Sequence, residues 1–169
     1  MLISLIMSLV SSDDLLLGFV AVIAYLIAIC GAIVLHELAH GLVAYWNGDY
    51  TAKAAGRLTL NPVKHFDLIG FLMLAVIGFG WAKPVPIDSR NFRDYKKGMI
   101  TVSLAGVICN FLQAFLATAF IAILAAIVGD TIVFESKNAG YYFTQFFVML
   151  LSYSATVNLT LMAFNLIPI

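Results

Sequence analysis

The sequence predicts an all-α polytopic membrane protein, and three observations carry that prediction. First, 63% of its 169 residues are hydrophobic and 11% are charged, against roughly 25% charged in a soluble domain; the mean hydropathy is +1.02. Second, several stretches approach or exceed the roughly 20 apolar residues needed to cross a bilayer. Third, Lys53, Arg57, Lys64, Lys83, Arg90, Arg93, Lys96 and Lys97 all fall between the first and second long apolar stretches, and only Lys137 lies elsewhere. Such an asymmetry sets orientation in a membrane. The length suits one membrane-embedded domain, residues 1–169. With a formal net charge of zero and no basic block or RNA-type aromatic motif, the expected partner is the lipid bilayer and not nucleic acid.

The opening "MLISLIMSLVSSDD" lacks a positive n-region and an A-x-A-like cleavage site, so it reads as a retained, membrane-associated lead-in. Ser-Ser-Asp-Asp is a helix N-terminal signal, because carboxylates favour that end of the dipole. It introduces the first long helix, Leu15 to about Trp46, which "NGDY" ends. In "TAKAAGRLTLNPVKHF", Asn61-Pro62 marks a turn and "GRLTL" can form a short strand. The run Asp67 to Gly80 has about 14 residues, too few for a span. After the basic loop "WAKPVPIDSRNFRDYKKG" come a second helix (Met99 to Val128), a polar connection (Gly129 to Tyr141) and a third helix (Tyr142 to Phe164). Cys30 and Cys109 lie inside apolar segments and read as small buried hydrophobes.

The positive block places residues 47–98 on the cytoplasmic side. A run too short to cross, with basic flanks at both ends, dips in and returns. The prediction is therefore about three full transmembrane helices, a short re-entrant or partial membrane segment, and a short β-strand/loop region. Irregular backbone at membrane depth is tolerated only beside protein or a water-filled cavity. That places a polar cavity near the cytoplasmic end of the first helix.

"AIVLHELAHGL", Ala32 to Leu42, occupies that end. His36 and His40 are one turn apart on one helix face, and two imidazoles so placed can hold one tetrahedral metal ion; H-E-x-x-H is the zinc-hydrolase arrangement. Glu37 lies beside the metal without pointing at it, as a general base acting on water requires. With three histidines and two glutamates in the chain, a chance H-E-x-x-H is expected on the order of once in a thousand such sequences. An ionisable cluster within the membrane could instead hold helices together, but its cost of at least ~2.5 kcal/mol per charge usually marks a functional site. A haem site is the other alternative, with only His65 left as a further axial ligand.

The motifs "HELAHGLVAYWNGD", "AAGRLTLNPVKHFDLIGFL", "GWAKPVPIDSRNFR", "VSLAGVICNFL" and "FNLIPI" resemble, in order and spacing, the site-2 protease family of intramembrane zinc metalloproteases, in its small branch without a PDZ domain. The resemblance covers about Leu35 to Ile169. It implies cleavage of transmembrane helices of regulatory membrane proteins, often after a first cut by another protease. It also implies Zn2+ held by His36 and His40, Glu37 as catalytic base, and Asn165 supporting the substrate or the oxyanion. The sequence departs from the family pattern in three places. Val107 and Leu68 stand where the family has proline, in "AGVICN" and "HFDLIG". The family also continues as N-x-x-P-x-x-P-L-D-G, and its aspartate, the third zinc ligand, would lie past Ile169.

A catalytic zinc takes three protein ligands and a water, so the expectation is a piece of an active enzyme. The alternatives are a ligand substituted from His65 or Asp67, or an inactive relative that binds helices without cutting them. His65 and Asp67 are candidates for holding the metal's ligands in position by hydrogen bonds, or an interfacial hydrogen-bonded pair. Asn110 could brace the site, although interhelical hydrogen bonding is the commoner use of such a residue, and Asn158 reads the same way. Gly56, Gly70, Gly78, Gly80 and Gly106 are expected at turns or close helix contacts. "YYFTQFF" reads as an interfacial belt and lipid-facing surface, and "NFRDYKK" as a solvated loop.

Overall fold

Asp14 starts the first helix as an N-cap: its side chain accepts the backbone N–H of Leu17 at 3.1 Å, satisfying one of the donors a helix start leaves orphaned. The computed structural model describes residues 14–70, 73, 80–128 and 137–167. Helix α1 runs Leu15–Trp46. Gly48 ends it with φ +106°, in the left-handed region that glycine alone enters without strain. A Cβ there would also press on the Asn91 carbonyl and the Arg93 side chain, each at 3.1 Å.

Helix α2 runs Tyr95–Val128 and α3 runs Ala139–Leu166. Both begin earlier than hydropathy suggests, because polar caps set their starts. Asp94 accepts from Lys97 N at 3.0 Å, and Asn138 accepts from Tyr141 N at 3.0 Å. All three helices are long and apolar enough to cross a membrane. At 1.5 Å per residue even α3 extends roughly 42 Å, beyond a hydrocarbon core of about 30 Å. Phe115 and Phe143 are 61% and 66% exposed on the bundle's outside, a surface that suits lipid and not water.

The three helices pack pairwise, with α1 the most covered. Its buried side is built on Ala21, Ala24, Ala28 and Ala32, whose spacing forms one stripe and lets neighbouring backbones approach closely. Tyr25 and Ile29 form a core cluster with Tyr153 and Val157 of α3. Helices α1 and α3 run parallel: the Tyr142 hydroxyl donates to Asp14 at 3.2 Å, and the Tyr25 and Tyr153 rings meet edge to face with centroids 5.4 Å apart. Helix α2 is antiparallel to α1, since Leu35 meets Cys109 while His40 meets Val102.

Asp49 organises the loops between α1 and α2. It is fully buried and accepts from the backbone N–H and hydroxyl of Thr51, the Asn91 amide at 2.9 Å and Asp88 N at 2.8 Å. Residues 57–61 form a loop and no strand. The Thr59 carbonyl, which a ladder would need, accepts instead from the His65 ring at 2.8 Å, and the Arg57 N–H bonds back to Ala52. Most of the short apolar run, residues 71–79 apart from Met73, lies outside the described residues, as do the lead-in 1–13 and residues 129–136. The flanks of the run are described and meet: Phe66 and Ala82 form an antiparallel bridge, and Lys83 N donates to the His65 carbonyl at 2.9 Å. The two flanks of the run therefore lie side by side.

Candidate metal centre

The H-E-x-x-H segment lies on the last turns of α1, where that helix crosses the small-residue stretch of α2. His36 is 8% exposed and His40 half-buried. Their rings meet edge to face, and the two Nε2 atoms are 3.0 Å apart. Bonds of about 2.05 Å to one tetrahedral zinc would set two imidazole nitrogens roughly 3.3 Å apart, so the pair is close to chelating geometry. The haem alternative would need His65 as its second histidine, and His65 is fully buried with its Nε2 bonded to the Thr59 carbonyl at 2.8 Å, which disfavours that alternative.

His40 is held from α2. Its Nδ1 lies 2.7 Å from the Val102 carbonyl. A carbonyl only accepts, so Nδ1 carries the proton and Nε2 presents its lone pair, the tautomer a metal ligand needs. Gly106 provides the space. A Cβ built there would lie 2.6 Å from His36 Nε2 and would also overlap His40 Nε2 and His36 Cε1. The volume left by that missing methyl sits against both nitrogens, where a chelated ion belongs, and so the pair fits two of the three protein ligands that a catalytic zinc takes.

Glu37 is positioned from the loops. Its Oε2 accepts the Val85 N–H at 2.9 Å, from the sequence Pro84-Val85-Pro86, in which only Val85 has an N–H to give. Arg57, buried, fixes this loop by donating from Nη2 to the Lys83 carbonyl at 2.6 Å. Gly41, one turn beyond Glu37, admits both loops onto the helix: a Cβ there would meet Leu58 at 2.8 Å and Val85 at 3.1 Å. Burial pushes the Asp49 carboxyl beneath these loops upward, but hydrogen bonds from Thr51, Asn91 and Asp88 outweigh it and hold the group below its ordinary value.

The other predicted site residues stand apart from the histidine pair. His65 is fully buried and donates to the Thr59 carbonyl, and Asp67 accepts from Gly70 N at 2.8 Å, capping a local turn. Asn165 is exposed, with its amide donating back to Leu161 at 2.8 Å. Residues 128 apart pair along the parallel helices α1 and α3, and the same offset sets Asn165 level with Glu37. Among the described residues, no third His, Cys, Asp or Glu joins His36 and His40. Sequence reasoning did not find the Val102 carbonyl or the Val85 N–H. Backbone groups leave no residue-type signal, although the prolines flanking Val85 were a cue.

Over 135 residues the chain is 38% identical to "Putative zinc metalloprotease YwhC" of Bacillus subtilis (strain 168), an alignment covering 80% of this chain and 58% of that protein. The chain thus spans less than two thirds of that relative's length. No family model matches the chain, and no solved structure does.

Proposed function

We propose that the chain is the core of an intramembrane zinc metalloendopeptidase of the site-2 protease type, which hydrolyses peptide bonds within or near transmembrane helices. The observation that carries this reading is the pair of Nε2 atoms 3.0 Å apart beside Gly106, with Glu37 as the next residue on the helix. The relative's printed name adds support from outside the chain.

His36 and His40 would supply two ligands, and the resemblance to the site-2 protease family implies an aspartate as the third. Zinc, when bound, supplies Lewis acidity and brings the pKa of a water toward neutrality. Glu37 takes a proton from the attacking water and returns it to the leaving amide nitrogen. The Val85 N–H holds the Glu37 carboxylate in place during both transfers, and Asn165, level with Glu37, steadies the substrate. A transmembrane substrate must first unwind, because helical hydrogen bonds shield its carbonyls. The site would face the cytoplasmic side of the cell membrane, a reading that the positive charge of these loops supports.

The test measures zinc content and cleavage of a transmembrane substrate for this chain and for a version extended past residue 169, each with Glu37 and with Glu37→Gln. We expect the substitution to leave zinc in place and to lower cleavage by about 10²- to 10⁴-fold. Undiminished cleavage by Glu37→Gln, or an extended protein that takes up no zinc, would defeat the reading.

A further inference from the structure

One polar side chain in the seam between α1 and α2 has no work in the account above. Asn110 is fully buried, and neither its Oδ1 nor its Nδ2 has a hydrogen-bond partner among the described residues. The same is true of one ring atom at the metal centre, His36 Nδ1. The two orphans share one side of the seam: Asn110 lies one turn beyond Gly106, on the α2 face whose Cβ position meets the His36 ring. Helical side chains lean toward their own N-termini. On antiparallel helices, His36 and Asn110 therefore lean toward each other. Isolated buried polar groups are rare enough in folded proteins that two facing each other across one seam call for a common explanation.

His40 supplies the comparison within the same site. Its Nδ1 proton is held by the Val102 carbonyl, which leaves Nε2 free to ligate. His36 needs the same service, and its Nδ1 has no hydrogen-bond partner among the described residues. We propose that Asn110 is the positioning residue of His36, its side-chain oxygen accepting the Nδ1–H so that the Nε2 lone pair is presented to the metal. Asparagine suits the task because its amide also offers a donor. When the metal is absent and His36 turns its Nε2–H toward His40, the Asn110 Nδ2 can donate to the bare Nδ1. The assignment rests on the zinc reading of the site, but part of its test does not.

The experiment uses the whole chain in detergent micelles, as parent, Asn110→Leu and Asn110→Asp. Zinc affinity is measured by competition with a chromogenic chelator, and the ring nitrogens are followed by NMR after 15N-histidine labelling. The chain has three histidines, so the signals are assigned by substituting each in turn. Loss of a partner that orients a metal ligand typically weakens binding about 10- to 100-fold. Asn110→Leu is expected to lose that much zinc affinity, while Asn110→Asp, which keeps an acceptor, retains most of it. In the metal-free Asn110→Leu protein, the His36 signals should move while those of His40 and His65 stay. Parent-like zinc affinity in Asn110→Leu, unmoved His36 signals, or displacement of all three histidines would each overturn the assignment. A parent that binds no zinc sinks the zinc reading, and the metal-free His36 signals then decide the Asn110 pairing alone.

Discussion

Gly106→Ala is the smallest change that should disable the metal centre. The added Cβ would lie 2.6 Å from His36 Nε2 and overlap His40 Nε2 and His36 Cε1 as well, whereas non-bonded carbon contacts settle at about 3.5–4.0 Å. An overlap near 1 Å has two ways to relax. Helix α2 can move off α1, which disturbs the seam along its length, or the rings can swing aside. Swinging His40 breaks its bond to the Val102 carbonyl, a loss of about 0.5–1.5 kcal/mol, and overpacking adds about 1–3 kcal/mol. Protein stability should therefore fall by about 1.5–4.5 kcal/mol. Zinc binding should suffer more, because ligand distances tolerate only about ±0.2 Å. Gly31→Ala is the control: it lies on the same helix as the histidines and meets nothing within 4 Å. Zinc stoichiometry and thermal unfolding in detergent, measured for both variants, test the idea. A Gly106→Ala protein that binds zinc as the parent does would refute it.

Three further predictions concern the loops. Asp49→Ala leaves buried donors from Thr51, Asn91 and Asp88 without their acceptor, and at about 1–3 kcal/mol for a group left unsatisfied it should make residues 47–94 readily cleaved by added protease. The Asp49 carboxyl sits below its ordinary value in the folded protein; its stabilisation is present above the unfolded value of about 3.9 and is lost as pH falls through the folded one. Protease resistance of the parent loops should accordingly decline below about pH 4, and Asp49→Ala should lack that component. Arg57→Ala frees the Lys83 carbonyl and with it the loop that presents Val85 N–H to Glu37. Since a misplacement of about 1 Å can cost about 10²-fold in rate, cleavage should drop by up to that factor with zinc content unchanged; parallel loss of zinc would show that the loop supports the metal centre as a whole.

Hydropathy alone determined that three helices of bilayer length would form, because the apolar runs from Leu15, into Val128 and through α3 have no alternative to satisfying their backbone internally. The four-residue spacing determined that His36 and His40 would share a face, because helical geometry allows nothing else. Helix starts were less legible: Asp94 and Asn138 move them by capping, an effect invisible to an average over apolar residues. "GRLTL" has strand-forming residues yet makes a loop, because whether a strand forms depends on a partner edge, and His65 occupies the carbonyl that such an edge would need. The rest was decided by tertiary structure. Only the antiparallel crossing of α1 and α2 brings the Val102 carbonyl to His40, the bare face of Gly106 to both rings, and Asn110 to His36. Only the return of the chain at Ala82 brings Val85 to Glu37. These are contacts between backbone groups, absent side chains and residues up to 74 positions apart, and a linear sequence specifies such meetings only through packing.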